Sequence, residues 1–134
     1  MRGRILIVED EAIVADELVY EVLQLGYEVV GVAASGREAI ALADESRPNL
    51  VLMDIQLQGA MTGTEAANII HRETGAAIVF ITAFAAVFIR DPSRLVPPGI
   101  CLTKPFSPIQ IRSVLEAVSS TTAVENRNEG MKHN

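Results

Sequence analysis

Side chains capable of binding a cation or a phosphoryl group accompany four short apolar runs of the chain. Glu9 and Asp10 follow the first run, Asp54 follows the second, Thr82 follows the third, and Lys104 follows the fourth. Carboxylate oxygens are the ligands that Mg²⁺ prefers in proteins. A hydroxyl can donate a hydrogen bond to a phosphoryl oxygen, and a lysine can balance its charge. If the four runs are neighbouring strands, the side chains form one site for a divalent cation and a phosphoryl group.

The four runs, residues 5–8, 50–53, 78–81 and 100–103, are typical of strands buried on both faces of a parallel sheet. Helical patterns alternate with them, and a further strand is predicted over residues 27–33. This order predicts an α/β, flavodoxin-like, doubly wound sheet of five parallel strands in the order 2-1-3-4-5. Ligands of such sheets bind beyond the carboxyl ends of the strands, where all the side chains above are expected.

Helix boundaries are marked by capping residues. Capping boxes open helices at residues 35–38 and 62–65, Ser107 and Pro108 open a last helix to about residue 118, and Gly26 and Gly75 follow helix ends. Between strands four and five, residues 83–99 contain Asp91-Pro92 and Pro97-Pro98, so the fourth helix is predicted to be short, displaced or missing. We therefore predict a domain over residues 1–118 and a flexible polar tail over residues 119–134.

Composition narrows the class of protein. The chain has 134 residues, a net charge of −6 and 49% hydrophobic residues, which fits one globular domain. The negative charge argues against a nucleic-acid partner, and the lack of a basic helix argues against a membrane surface. Cys101 is the single cysteine, and the amino terminus has no signal-peptide pattern. These features predict a cytoplasmic location.

The type of each side chain indicates a role for it in such a site. Asp10 and Asp54 suit direct ligation of Mg²⁺ or Mn²⁺, and Glu9 would act directly or through water. Asp54 is the best candidate nucleophile because its strand lies centrally. Taken singly, Asp10 could be only a helix cap, Lys104 a surface charge and Thr82 a strand residue. Their common position at strand ends favours one site.

Four stretches resemble the receiver domain of two-component response regulators: residues 5–11, 51–54, 80–83 and 104–106, within a match over about residues 4–118. The resemblance implies that Asp54 is the phosphoacceptor and that Asp10, Asp54 and the backbone carbonyl of Gln56 hold Mg²⁺. It also implies roles for Lys104 and Thr82 in contacting the phosphoryl group, room for that group beside Ala83, and a cis Lys104-Pro105 bond.

Three departures from the family pattern stand out. The loop after Asp54 is one residue longer than usual and lacks its proline; Cys101 stands where the family usually has an aromatic residue; and the fourth helix is broken by proline. We expect Cys101 to be a small buried hydrophobe. We also expect switching to rearrange residues 83–99 without an aromatic rotamer exchange.

The resulting hypothesis is a stand-alone response regulator that accepts a phosphoryl group from a histidine kinase or phosphotransfer protein. Its output would be a protein contact or a phosphate sink, and its chemistry would be limited to its own phosphorylation and dephosphorylation. A phosphohydrolase acting on small esters and a phosphate-independent binding module are the alternatives. The kinase, the signal, the downstream target and the oligomeric state, including a homodimer, stay open. His71 and His133 lack partners at ligand spacing and are expected to be solvated.

Overall fold

The computed structural model describes residues 3–83 and 96–118. Strands and helices alternate over residues 3–83, and within residues 96–118 a last strand is followed by a last helix over residues 108–118. The preceding elements are β1 (Arg4–Val8), α1 (Ala12–Gln24), β2 (Glu28–Ala33), α2 (Gly36–Ser46), β3 (Leu50–Asp54), α3 (Gly63–Thr74), β4 (Ala77–Thr82) and β5 (Ile100–Thr103). The predicted fourth helix and polar tail fall largely or wholly in residues 84–95 and 119–134, outside the described residues, so both stay predictions.

All five strands form one parallel sheet in the order β2-β1-β3-β4-β5. The predicted flavodoxin-like topology is therefore confirmed. The strand ends are aligned: Val8 pairs with Met53, Asp54 pairs with Ile81, and Thr82 pairs with Thr103. This register brings the residues after each strand to the same edge of the sheet.

Side-chain hydrogen bonds fix the helix starts where the capping signals predicted them. The Ser35 hydroxyl accepts from the Glu38 amide at 3.2 Å, and Thr62 accepts from the Glu65 amide at 3.1 Å. In the last helix, Ser107 and Gln110 exchange two such bonds. The second strand begins one residue later than predicted, at Glu28, because the Tyr27 amide still bonds to the Val22 carbonyl at the helix end.

The two faces of the sheet are covered by different kinds of side chain. The face under α2 and α3 includes many small residues: Ala33, Ala39, Ala43, Ala66, Ala67 and Ala76. The other face, under α1 and the last helix, is packed mainly by isoleucine, leucine and valine. Small residues allow α2 and α3 to lie close together and close to the sheet. No helix among the described residues is long and apolar enough to cross a membrane.

His71 and Cys101, both outside the site, differ in burial from what the sequence predicted. His71 is half-buried rather than solvated, and its Nδ1 lies 2.9 Å from the Ala76 carbonyl oxygen, so Nδ1 is the donor of this bond. Cys101 is half-buried and packs against the core cluster under α2 and α3. Burial raises the pKa of the Cys101 thiol above its ordinary value of 9.0, so it stays protonated at neutral pH.

Candidate functional site

The predicted site residues meet at the carboxyl edge of the sheet. Glu9 and Asp10 follow the end of β1, Asp54 ends β3, Thr82 ends β4, and Lys104 follows β5. Their strands are neighbours in the sheet, since β1 pairs with β3, β3 with β4 and β4 with β5. A cavity of about 310 Å³ lies at this edge. Its described lining consists of Asp10, Glu11, Asp54, Gln56, Leu57, Gln58, Ala83 and Lys104.

The Asp54 carboxylate is held by two donors. Its Oδ1 accepts from the Gln56 amide at 3.1 Å, and its Oδ2 accepts from Lys104 Nζ at 3.2 Å. The side chain is buried, with 3% of the residue exposed, yet it lines the cavity. A buried carboxylate that keeps both oxygens hydrogen-bonded and still faces a cavity is oriented for reaction with a ligand there.

Lys104 connects the acids of the site. In addition to Asp54, its Nζ lies 2.5 Å from Glu9 Oε1 and 3.6 Å from Glu11 Oε1. Burial by itself would lower the pKa of Lys104. The close contact with Glu9 and the charges of Asp54 and Glu9 outweigh burial, so this pKa lies above its ordinary value of 10.5. The lysine therefore carries its full charge at neutral pH. The Lys104-Pro105 bond is cis, as the family resemblance implied.

Glu9 lies behind the cavity and is 3% exposed. Its Oε2 accepts from the Glu11 amide at 3.1 Å, ahead of the first residue of α1. Its buried Oε1 contacts Lys104 as an ion pair but without the geometry of a hydrogen bond. Burial is the largest influence on this carboxyl, and its pKa lies above its ordinary value of 4.5 even though Lys104 and the Glu11 amide act in the opposite direction.

Asp10 completes a cluster of three acids suited to a metal ion. One oxygen from each of Glu9, Asp10 and Asp54 lies within 4.8 Å of the others. Burial first, and then the neighbouring Glu9, raise the pKa of Asp10 above its ordinary value of 3.8. Asp10 is not the cap of α1, because Glu11 occupies that position. Hard oxygen donors with an incompletely satisfied Glu9 oxygen fit Mg²⁺ or Mn²⁺.

Thr82 and Ala83 occupy different environments although they are adjacent. Thr82 is fully buried and is not among the described residues that line the cavity, whereas Ala83 is exposed and lines it. The Thr82 carbonyl accepts from the Lys104 amide at 2.8 Å, which links β4 to the lysine.

The structure also adds site residues that the sequence patterns did not reveal. Glu11 is a third acid facing Lys104, after Glu9 and Asp54, and Leu57 and Gln58 line the cavity. Gln58 pairs with Ser35 in an isolated parallel bridge, which ties the loop after β3 to the start of α2. The extra residue and the missing proline of this loop were the sequence signals that set it apart from the family pattern. Its contacts depend on α2, and no local pattern predicts them.

Comparisons with known proteins agree with this architecture. A family model described as response regulator receiver domain matches residues 5–116. The phyllosphere-induced regulator PhyR of Methylorubrum extorquens is 37% identical over 116 residues, which cover 86% of this chain and 43% of that protein. The transcriptional regulatory protein PdtaR of Mycobacterium tuberculosis is 38% identical over 104 residues, which cover 78% of this chain and 50% of PdtaR. The chain thus spans about half the length of these curated relatives.

Solved structures show the same relationship. The signal receiver domain of a modulated diguanylate cyclase from Desulfovibrio desulfuricans matches with a TM-score of 0.81 and 32% identity, over 92% of this chain and 98% of that chain. A variant of the anti-anti-sigma factor PhyR from Bartonella quintana matches with a TM-score of 0.82 and 30% identity, over 92% of this chain and 50% of that chain. Because the family model spans most of the sequence and the sheet order agrees with it, the chain belongs to the response regulator receiver domain family.

Proposed function

We propose that this domain accepts a phosphoryl group on Asp54 from a phosphorylated histidine of a histidine kinase or phosphotransfer protein. The observation that carries the proposal is the Asp54 carboxylate, which lines the cavity with Lys104 Nζ 3.2 Å from one oxygen and the Gln56 amide 3.1 Å from the other. Signalling would then proceed through a protein contact, or the domain would drain phosphate from another pathway. Its chemistry is limited to its own phosphorylation and dephosphorylation.

The proposed reaction forms one bond and breaks one. An Asp54 oxygen attacks phosphorus and forms an acyl phosphate, while the bond between phosphorus and the histidine nitrogen breaks. The electron pair of that bond returns to the imidazole ring, which takes up a proton from water. Lys104 is placed to change partners from the Asp54 carboxylate to a phosphoryl oxygen.

The negative charge of the site favours the binding of a divalent cation. Three clustered carboxylates face one lysine, so the fully ionised group has a net charge of about −2 and repels an anionic phosphodonor. Asp10, Asp54 and the backbone carbonyl of Gln56 would hold Mg²⁺, with Glu9 behind them. The bound ion would neutralise this charge and that of the incoming phosphoryl group.

Thr82 at the end of β4 and Ala83 just after it would lie beside the phosphoryl group. Ala83 is exposed at the cavity, and its small side chain leaves room for the phosphoryl group. We propose that Thr82 moves toward the phosphoryl group after transfer, since its hydroxyl lies outside the described cavity lining before phosphorylation. Such a movement would shift the equilibrium between two arrangements of the domain. The size of the shift would depend on how much more tightly one arrangement binds the phosphoryl group than the other.

Phosphorylation of Asp54 can be tested with a small phosphodonor. Incubation with acetyl phosphate and Mg²⁺ should add one phosphoryl group per chain, and mass spectrometry after borohydride trapping should locate it at Asp54. Asp54→Asn should not be labelled, and neither should wild-type protein in EDTA. Asp44→Asn is the matched control, because Asp44 is an exposed acid on α2, away from the cavity. Full labelling of Asp54→Asn would refute the proposal.

A surface beside the cavity is suited to the phosphodonor protein. Ile13 and Ile109 are 79% and 76% exposed on α1 and the last helix. Between these helices lies an open groove of about 450 Å³. Its lining combines apolar residues with three acids: Ile13, Asp16, Glu17, Tyr20, Glu21, Phe106, Pro108 and Ile111. We propose that a partner helix with an apolar stripe and basic flanks docks here, since exposed apolar patches of this kind are typical of protein contacts.

Comparing two phosphodonors separates docking from chemistry. Ile13→Asp should slow transfer from autophosphorylated histidine kinases at least about tenfold, because a buried charge disfavours the apolar contact. Labelling by acetyl phosphate should not change. Val32→Asp, on the edge strand β2, is the control, since Val32 is also an exposed aliphatic residue. Equal loss with both donors would show that the substitution disturbs the site instead of docking.

A further inference from the structure

We propose that Gly63, the first residue of α3, is a positioning residue for the phosphoacceptor. Its lack of a side chain allows the start of α3 to pack directly against the backbone of Asp54 and Ile55. This contact fixes the loop that presents the Asp54 carboxylate and the Gln56 carbonyl. The inference rests on the roles proposed above for Asp54 and Gln56, and it assigns to Gly63 a measurable effect on metal binding.

The contact leaves no space for a larger residue. A Cβ atom placed on Gly63 would lie 2.0 Å from the Asp54 carbonyl oxygen and 2.8 Å from the Ile55 Cα. Both neighbours are backbone atoms, so neither can rotate away as the end of a side chain would. Gly63 is not one of the glycines with a positive φ, so close approach, and not backbone conformation, is what requires glycine here.

The backbone held by Gly63 leads directly to the site. The Gly63 amide donates to the Ile55 carbonyl at 3.0 Å, and the Ile55 amide donates to the Ile81 carbonyl on β4 at 3.0 Å. The next residue, Gln56, donates its amide to Asp54 Oδ1 at 3.1 Å. The first residue of the loop, Ile55, is therefore fixed between α3 and β4, and Gln56 is bonded back to Asp54. A displacement of α3 would move the Asp54 carboxylate and the Gln56 carbonyl, which are the two oxygen donors proposed to hold a metal here.

Gly36 provides a matched comparison within the same chain. Gly36 and Gly63 are each the first residue of a helix, and each follows a hydroxyl cap, Ser35 or Thr62. Both glycines are buried. A Cβ on Gly36 would meet Met61 Cγ at 3.0 Å, which is a flexible side chain able to move aside. Substitution by alanine at the two positions thus differs mainly in whether the Asp54 backbone must move.

The main test compares Mg²⁺ binding by Gly63→Ala and Gly36→Ala. Removal of groups that orient metal ligands typically weakens metal affinity about 10–100-fold, and we expect a loss of this size for Gly63→Ala. Gly36→Ala should bind Mg²⁺ with a dissociation constant within about twofold of wild type, as should Thr62→Ala, which weakens the start of α3 by removing its cap without the steric conflict. Calorimetric titration at a temperature where circular dichroism shows all variants folded provides the constants.

The outcomes are distinct. Unchanged Mg²⁺ affinity in Gly63→Ala would overturn the inference, as would an equal loss in all three variants, which would reflect general destabilisation. If Gly63→Ala does not fold, the wild-type protein decides by amide NMR. The Gly63 amide should shift on addition of Mg²⁺ while the Gly36 amide does not, and an unmoved Gly63 amide overturns the proposal. Failure of wild-type protein to bind Mg²⁺ or to be labelled at Asp54 would instead refute the proposed function.

Discussion

The acids at the ends of β1 and β3 are equally buried, at 3% exposure, but they are held differently. Asp54 lines the cavity and has a hydrogen-bond donor on each oxygen. Glu9 lies behind the cavity, and one of its oxygens has only the ion pair with Lys104. Both acids share that lysine. Equal burial thus accompanies different surroundings. Asp54 lines the cavity, in keeping with the phosphoacceptor role proposed for it, whereas Glu9 pairs with Lys104 away from the described lining, in keeping with a supporting role beside a cation.

The largest expected effect comes from removing the shared lysine. In Lys104→Met, Glu9 keeps its burial but loses its cation, and breaking a buried ion pair typically costs about 3–5 kcal/mol. We expect the free energy of unfolding, measured by urea denaturation at pH 7, to fall by about 3 kcal/mol, the lower end of this range, because 15% of the Lys104 side chain is exposed.

The double variant Lys104→Met with Glu9→Gln is the control for this prediction. It should recover much of the lost stability, since it leaves no unpaired charge behind the cavity. The double variant Lys104→Met with Asp54→Asn should recover less stability. In Lys104→Met alone, Asp54 keeps the Gln56 amide as a partner and faces the cavity, so removing its charge gains less. Equal recovery by both double variants would remove the distinction between the two acids.

Asp10→Asn should separate metal binding from folding. The cluster loses one of its three acids, so Mg²⁺ affinity should fall about tenfold or more. Without Mg²⁺ the variant should melt at a higher temperature than wild type, because Glu9 and Asp10 repel each other. Thermal melts in EDTA and Mg²⁺ titrations test both parts, with Asp16→Asn on α1 as control. Undiminished Mg²⁺ affinity would contradict the ligand assignment.

The pH dependence should reveal the cost of burying these acids close together. Glu9 and Asp10 have pKa values above their ordinary 4.5 and 3.8 in the folded protein. The folded state therefore binds more protons than the unfolded state between the ordinary and the raised values, and the free energy of unfolding should fall as pH rises through this range. The raised pKa of Lys104 also makes stability fall with rising pH, but in the alkaline range: the stabilisation of its charged form is complete below 10.5 and is lost as pH rises through the raised value.

Urea titrations of wild type and Asp10→Asn in EDTA, from pH 4 to 8, measure the contribution of the acids. The difference in stability between the variant and wild type should grow with pH, because the ionised Asp10 carboxylate is disfavoured in the folded wild-type protein and is absent from the variant. A difference that shrinks with rising pH would show that Asp10 is stabilised, not destabilised, as a carboxylate.

The smallest effect is expected from Thr82. Thr82→Val keeps the shape of this fully buried residue and removes its hydroxyl, so stability should change by about 1 kcal/mol. Labelling of Asp54 by acetyl phosphate should continue, because Thr82 is outside the described cavity lining. The response to phosphorylation, measured by amide NMR with and without beryllofluoride, should be reduced. Loss of labelling in this variant would place Thr82 with Asp54 instead of behind the site.

Much of the fold follows from short-range patterns. The caps at Ser35, Thr62 and Ser107 depend on residues three positions away, and the helices begin where these residues predicted. The apolar run that predicted β5 ends where the strand ends, and the runs that predicted β3 and β4 end one residue before their strands do. Because parallel strands align their carboxyl ends, the sequence also predicted that Asp10, Asp54 and Lys104 share one edge.

Tertiary structure alone decided how each of these residues is used. Glu9 and Asp10 are adjacent in sequence, yet the register of β1 between β2 and β3 buries one and leaves the other at the cavity. Lys104 reaches Asp54 across 50 positions of sequence. Gly63 is required by its contact with the Asp54 carbonyl and not by its own backbone angles. Such contacts depend on where distant segments meet in space, which short-range propensity does not encode.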